Sequence, residues 1–386
     1  MSGLELIKNY SIFLFCEGFN DNFDKLNYIF TSFLFTLALV VSGTQTFFRR
    51  KFYCYSRGIL EEDNDNDNYI SAYCWTKGTY SLLKNDTLPQ LNSEWEKLSN
   101  QQLITYQHWH LIIFGVLCFI IYTPKFLWNL KITNKNHKDI NILMKFLNKI
   151  NKNHKYDMDN IIFKAAKYFD ESLRFGKTSR GLSSFPLSKR CGNYLCNWYI
   201  IMKLLFIFNP FLILLIFKEL YSKTPDEFFE FYRILIFSVW DPLKFYYTKY
   251  FPLISICRLE YFVLGSKNIN HATMCIHPEN LFNRYVVSIL SIWLTVLSII
   301  NFIGLVKFIG RIVFRERKST IKMLLLNTGD FSSEKKILLD KFVNEYLQID
   351  GFMVIQFIKK KFGLVPSSKF IRNLFDKFSE NYSEIP

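Results

Sequence analysis

The sequence predicts an all-α membrane protein: a four-transmembrane-helix bundle with disulfide-bonded extracellular loops and a helical cytoplasmic domain. Three observations predict it. The 386-residue chain contains four apolar runs long enough to cross a bilayer. Its formal net charge of +15 is concentrated in the segments after the second and fourth runs. Four of its eight cysteines lie, two and two, in the segments after the first and third. The composition, 50% hydrophobic and 18% aromatic with 41 Phe, excludes a disordered chain, a collagen and a small disulfide knot.

The runs justify themselves in order. Residues 1–25 lead into the first, 26–48, which has no charge from Leu26 until Arg49. The second, 103–128, is uncharged until Lys125. The third, 199–221, holds Lys203 inside and Lys218 and Glu219 at its far end; the fourth, 285–306, has no charge. One such run is also what a buried soluble helix looks like, but four in one chain point to a membrane. Residues 1–25 carry Glu5, Glu17, Asp21 and Asp24 and no apolar core followed by a cleavage site. The first run is therefore expected to stay as a membrane helix.

Orientation follows from the loops. Segment 129–198 has 14 basic and 5 acidic residues, and the tail 307–386 has 15 and 9. Segments 49–102 and 222–284 are near neutral, with 7 basic against 8 acidic and 7 against 6. Basic loops stay in the cytoplasm. Both termini and the middle loop are thus expected inside, and 49–102 and 222–284 outside. The N-terminal acids oppose this mildly, and the two lopsided segments outweigh them. A basic balance in a soluble protein suggests nucleic acid. Here the cations sit in loops tied to four spans, so anionic lipid headgroups are the expected partner and nucleic acid is not.

The cytoplasmic segments show helical rhythm. Ile140, Leu143, Phe146, Leu147 and Ile150 recur in the middle loop. In the tail, Ser332 or Ser333 can cap a helix holding Ile337, Leu338, Phe342, Val343, Tyr346 and Leu347, with Gly351 expected to end it. The run Glu61–Asn68 (EEDNDNDN) is expected to be a polar loop tip.

Cys54 and Cys74 fall in the first outer loop and Cys257 and Cys275 in the second. These four meet an oxidising compartment, and three pairings are open to them. Bridges between the loops would clamp them into one unit; bridges within each would not. Cys16, Cys191 and Cys196 are inside and Cys118 is within the second span. Cys191 and Cys196 have no nearby His and are expected to be buried or lipidated. His108 and His110 are two apart, on different helix faces, so no metal site is expected. No paired-carboxylate, histidine-box or nucleophile constellation stands at membrane depth, so neither an enzyme nor a cofactor is expected.

Local strings carry a family resemblance. They are Asp21–Thr31 (DNFDKLNYIFT), Tyr73-Cys74-Trp75 with Thr79-Tyr80, and Tyr106–His110 (YQHWH). To these add Tyr122, Pro124 and Trp128; Lys203 and Asn209; Phe251-Pro252; and Asn280-Leu281-Phe282. Through all four spans and both outer loops the chain resembles an innexin, the invertebrate gap-junction family related to pannexins. It departs from the family where only Tyr106 and Trp109 of YQHWH match, where Leu111 replaces a proline, where Pro210 follows Asn209, and where Arg258 replaces an aspartate.

The resemblance implies a ring of about eight subunits around a central pore, a disulfide-bonded cap outside, and passage of ions and small metabolites. The ring would sit in the plasma membrane, alone or docked to a ring on a neighbouring cell, with other innexins as further partners. The N-terminal segment would fold into the pore mouth, so Glu5, Glu17, Asp21 and Asp24 would form acidic rings at its inner end and favour cations mildly. Arg49 at the outer end would act oppositely. The first span is rich in Thr and Ser, among them Thr31, Thr36, Ser42 and Thr44, which would line the pore or serve as helix contacts. Lys203 is expected to snorkel or pack, and Pro210 to kink its helix. Asn85-Asp86-Thr87 is a glycosylation sequon whose glycan would hinder docking. Alternative functions are an accessory subunit that needs another innexin and a multipass enzyme.

Overall fold

Inside a bilayer the backbone can satisfy its N–H and C=O groups only within its own segment, so long apolar runs become helices. A computed structural model of the chain describes residues 22–48, 53–55, 64–81, 93–96, 103–133, 138–148, 158–178, 192–222, 228–240, 250–261, 269–313, 316–329 and 335–383. Four helices there are long and apolar enough to span. The first, α1, starts as Asn22–Lys25, passes through a π-helical turn Leu26–Phe30 and continues as Thr31–Phe48. The others are α3 (Tyr106–Thr133), α6 (Tyr194–Tyr221) and α8 (Pro278–Val313). All four exceed the apolar runs that mark them, because polar turns continue the helix beyond the apolar stretch.

The chain divides into two compact units whose boundaries cut every long helix. The sheet unit contains residues 27–122 and 208–298. The helical unit contains the chain up to Leu26, residues 123–207 and the chain from Ile299 onward.

In the sheet unit the helices α1, α3, α6 and α8 meet in an aromatic core, with Phe35, Phe114 and Phe217 about 6 Å apart. Beyond them lies a five-stranded antiparallel sheet that the sequence did not reveal. Its strands are β1 (Tyr53–Tyr55), β2 (Thr79–Ser81), β3 (Leu103–Ile104), β4 (Ile254–Tyr261) and β5 (Ile269–Ile276), in the order β1-β5-β4-β2-β3. Leu103 and Ile104 thus belong to a strand and not to the second span. Strands β4 and β5 pair from Ile254 opposite Ile276 to Tyr261 opposite Ile269. Along β5, Thr273 and Cys275 are buried while Met274 and Ile276 are exposed, the two-residue alternation of a one-sided sheet.

Helix α2 (Asn64–Lys77) covers the buried face. Its first residues belong to the polar run expected to be a loop tip. A run rich in Asn and Asp is compatible with a helix start as well as with a loop, because these residues are favoured where a helix begins. A further apolar helix, α7 (Phe228–Trp240), packs along two spans: Tyr232 donates to the Leu214 carbonyl, and Ser288 donates to the Leu235 carbonyl at 3.2 Å. Segment 222–284 therefore does not stand wholly clear of the spans.

The helical unit adds α4 (Lys138–Asn148), α5 (Met158–Thr178), α9 (Glu316–Leu326), α10 (Lys335–Lys341, continued as a π-helical stretch Phe342–Leu347), α11 (Gln348–Phe362) and α12 (Leu364–Ser383). The apolar rhythm in the middle loop becomes α4, which buries Leu143 and Leu147. Helix α5 packs on α4 and α12, with Phe169 meeting Phe370 at 5.8 Å. Gly351 does not end the tail helix. It is buried inside α11, and the break falls three residues earlier at Gln348, whose φ is 54°. Ile150, Ser332 and Ser333 lie outside the described residues.

Candidate functional site

The four outer cysteines form two bridges, and both run between the loops. Cys54 joins Cys275, its directly facing partner in the β1–β5 ladder. Cys74 on α2 joins Cys257 on β4. The bridges lie together: the sulfurs of Cys54, Cys74 and Cys275 are within 4.8 Å of one another. Ile70 and Leu259 bury them. A sulfur cluster of this kind could be mistaken for a metal centre, but every thiol in it is consumed by a disulfide.

A polar hub ties the same sheet to the start of the second and fourth spans. His277 Nε2 lies 2.6 Å from Ser255 Oγ and 3.1 Å from Thr79 Oγ1, and Gln107 Nε2 lies 2.8 Å from Nδ1. With Gln107 donating to Nδ1, the ring proton sits on Nε2 and serves the hydroxyls. Burial lowers His277 from its ordinary value of 6.5 to about 4. Beside it, Tyr106 donates to Asn280 Oδ1 at 3.0 Å, and Asn280 Nδ2 donates to the Pro252 carbonyl at 2.8 Å. The Tyr106 ring packs edge-on to Tyr221 and Phe251. Within the YQHWH string, Tyr106 and Gln107 make these polar contacts, while Trp109 is 58% exposed. His108 and His110 diverge as their spacing requires: His108 lies against Trp75, and His110 is buried 2.7 Å from the Tyr221 hydroxyl. Arg258 pairs with Glu260 at 3.1 Å and lies over Trp95.

The innexin family model matches residues 20–378. The chain belongs to the innexin family. Among similar proteins, Innexin-17 of Caenorhabditis elegans is 25% identical, with 94% of this chain and 95% of that protein aligned. Innexin-19 of the same organism is 22% identical over 97% and 87%. Innexin unc-9, again from Caenorhabditis elegans, is 21% identical over 94% and 93%. The innexin is a divergent one, yet the match runs through every span and loop.

At the beginning of the first span the helical unit of this innexin holds a buried ion pair. Asp24 and Lys203 are 1% and 3% exposed and meet at 2.5 Å, and Tyr199 donates to the other Asp24 oxygen at 2.8 Å. The rings of Trp128, Phe308 and Phe357 surround Tyr199. One expectation changes and another narrows. Asp24 is not an acid open to a pore, because it is buried and paired with Lys203 inside the protein. Of the two alternatives for Lys203, it packs and does not snorkel, because a carboxylate within hydrogen-bond reach holds it in place. Sequence reasoning missed the pair since 179 residues separate its members. An unexplained charge in each apolar neighbourhood was the available signal.

Two prolines within spans each free a carbonyl four residues earlier. Pro124 frees that of Ile120, and Asn209 Nδ2 donates to it at 2.7 Å. Pro210 frees that of Phe206, and Asn301 Nδ2 donates to it at 2.8 Å. Each asparagine thus replaces a backbone donor that proline lacks, as hydrocarbon surroundings demand. The tail reaches the third span in a comparable way. Both oxygens of Asp350 accept from N–H groups at the start of α6, those of Leu195 and Cys196, at 3.1 and 3.0 Å. Burial raises the Asp350 carboxyl against the lowering effect of those bonds.

On α1, Thr31 accepts from Trp293 Nε1 at 3.0 Å and Ser42 lies 3.4 Å from His110 Nε2, so both are helix contacts. Thr36 and Thr44 lie on the exposed face, their hydroxyls turned back to their own helix. Ile29, Phe33, Leu37 and Val40 share that face and are 48–60% exposed. Glu5, Glu17, Asp21, Arg49 and Asn85 lie outside the described residues, as do Cys16 and Cys191. Cys196 is buried as a free thiol and Cys118 is half-buried.

Proposed function

We propose that this innexin is a subunit of a large-pore channel that passes ions and small metabolites across the plasma membrane or between joined cells. The observation that carries the reading is the braided outer sheet. Strand β1 from one loop pairs with β5 from the other, β2 pairs with β4, and both disulfides cross between the loops. A cap so braced keeps its shape while it bears on another protein. One four-helix bundle is too small to enclose a wide aqueous pore, so the pore forms between copies in a closed ring of about eight. The exposed face of α1, bearing Thr36 and Thr44, is the pore-side candidate.

A neighbouring copy has a surface to meet. On edge strand β1, Tyr53 and Tyr55 are 45% and 57% exposed, directly opposite Ile276 and Met274 of β5. The cytoplasmic placement of both termini rests on the basic excess of 129–198 and 307–386. Asn85 is the candidate glycan site, and a glycan there favours a single-membrane channel over a docked one.

Expression in paired and in single cells tests the reading. Junctional current between pairs marks a docked channel, and surface dye uptake a single-membrane one. Silence in both, with function restored by a second innexin, would assign the accessory role instead. A glycosidase-sensitive gel shift that Asn85→Gln removes would place the glycan.

A further inference from the structure

The helical unit contains a cleft of about 480 Å³ between the inner end of α8 and helix α11. Four of the residues lining it are cations: Lys307 and Arg311 from α8, Lys359 and Lys360 from α11. Lys307 and Arg311 are four apart, so they share one helix face. None of the twelve described lining residues is acidic. Between the cations the wall is apolar, with Phe308, Phe352 and Met353 buried in it. Gly304 opens the wall at the span end, where Phe23 packs so close that an added Cβ would meet its ring at 3.4 Å.

The cleft lies where the apolar stretch of the fourth span gives way to cations. The apolar stretch of the fourth span ends at Val306, and Lys307 is the first charge after it. Phe302, Ile303 and Val306 of the same helix are 59%, 44% and 54% exposed. The exposed apolar strip of the span reaches the cationic rim of the cleft through Ile303, one turn before Lys307 on the same side of α8, while Phe302 and Val306 lie further round the helix. The cleft's ligand needs a dianionic or monoanionic head and a hydrocarbon tail.

We infer that this cleft binds an anionic phospholipid, with its phosphate among Lys307, Arg311, Lys359 and Lys360 and an acyl chain along the exposed strip of α8. Charge complementarity selects the anion, and the adjoining strip selects a lipid over a free phosphate. Juxtamembrane Lys and Arg each strengthen such binding, and a cleft adds shape to charge. A lipid held there would also bear on Phe23, next to the Asp24 anchor of the first span, and would cross-link α8 to α11.

The test uses full-length protein purified in detergent and stripped of native lipid. It is titrated with dioleoyl phosphatidylserine, dioleoyl phosphatidylcholine or inorganic phosphate, and retained lipid is read by native mass spectrometry. Phosphatidylserine should be retained over phosphatidylcholine. Replacing Lys307, Arg311, Lys359 and Lys360 by Gln should weaken retention by about fivefold for each cation removed, the equivalent of ~1 kcal/mol. Replacing Lys164, Lys167, Arg317 and Lys322 by Gln lowers the charge equally away from the cleft and should leave retention unchanged. Gln356→Trp keeps every charge but fills the cleft, and should also abolish the preference. Equal losses in the distant set, or full retention in Gln356→Trp, would reduce the effect to diffuse surface charge and overturn the site. Displacement by inorganic phosphate alone would make it a free-anion site and overturn the lipid. If the fourfold variant does not assemble, Arg311→Gln and Gln356→Trp carry the same comparison.

Discussion

The sheet unit and the helical unit are built from the same four helices but hold together differently. The sheet unit draws three strands from the first outer loop and two from the second, and closes them with bridges spanning 221 and 183 residues. The helical unit has no disulfide among its described residues. It relies on apolar seams, a buried ion pair and a carboxylate capping a distant helix. On the proposed orientation the difference follows from the compartments: thiols oxidise outside and stay reduced inside. A short-stranded cap with little apolar core gains most from covalent closure. Helices with long apolar faces need only a few polar anchors.

The largest effect expected from breaking this contrast lies in the helical unit. Lys203→Met leaves Asp24 buried and uncompensated, which should cost about 3–5 kcal/mol. The double variant Asp24→Leu with Lys203→Met removes both charges and should recover most of that in thermal melts of detergent-solubilised protein. A double variant as unstable as the single would show that the charges are not coupled.

Opening a bridge attacks the other unit. Cys74→Ser should cost about 2–5 kcal/mol and raise hydrogen exchange in 254–276. Helices α5 and α12 should be unaffected, and dithiothreitol should reproduce the pattern in the unmodified protein. Equal loosening of both units would dissolve the distinction drawn between them.

Acid should also act on the sheet unit first. His277 has its folded value lowered to about 4 from 6.5, so the unfolded chain takes up the proton first. The stability it contributes is therefore full above pH 6.5 and is lost as pH falls toward 4. The shift corresponds to ~3 kcal/mol at most. His277→Gln should flatten that part of the stability profile; an unchanged acid limb would assign it to other groups.

The smallest effect tests the proline partners. Asn209→Ala should cost about 1 kcal/mol, the usual scale of a hydrogen bond between spans. The same change in a Pro124→Ala background should cost less, because alanine restores the donor that Ile120 lacks. Additive costs would show that Asn209 acts elsewhere.

Much of the fold was legible in the residues. Four long apolar stretches and the regional sorting of Lys and Arg describe local or summed properties, which tertiary contacts do not alter. The rhythm of Leu143 and Leu147 likewise sufficed for a helix. The sheet was less visible because β1 and β2 have three residues each and β3 has two, too few to show a period. The tail break at Gln348 carries no local mark, because glycine is the usual signal and here Gly351 packs against Leu347 inside a helix. Nothing adjacent in the chain distinguishes Asp24 from Asp21, so its burial against Lys203 is not legible locally.

By itself the sequence determined that the chain spans a membrane four times, which cysteines share a compartment, and which family it resembles. Hydrophobicity and charge are additive along a chain, so those conclusions need no coordinates. Only the tertiary structure decided among the three cysteine pairings, joined Asp24 to Lys203, and matched each proline's free carbonyl to an asparagine on another helix. Those are pairings between residues about 90 to 220 positions apart. No local property of either member names its partner; the packing of the helices brings them together.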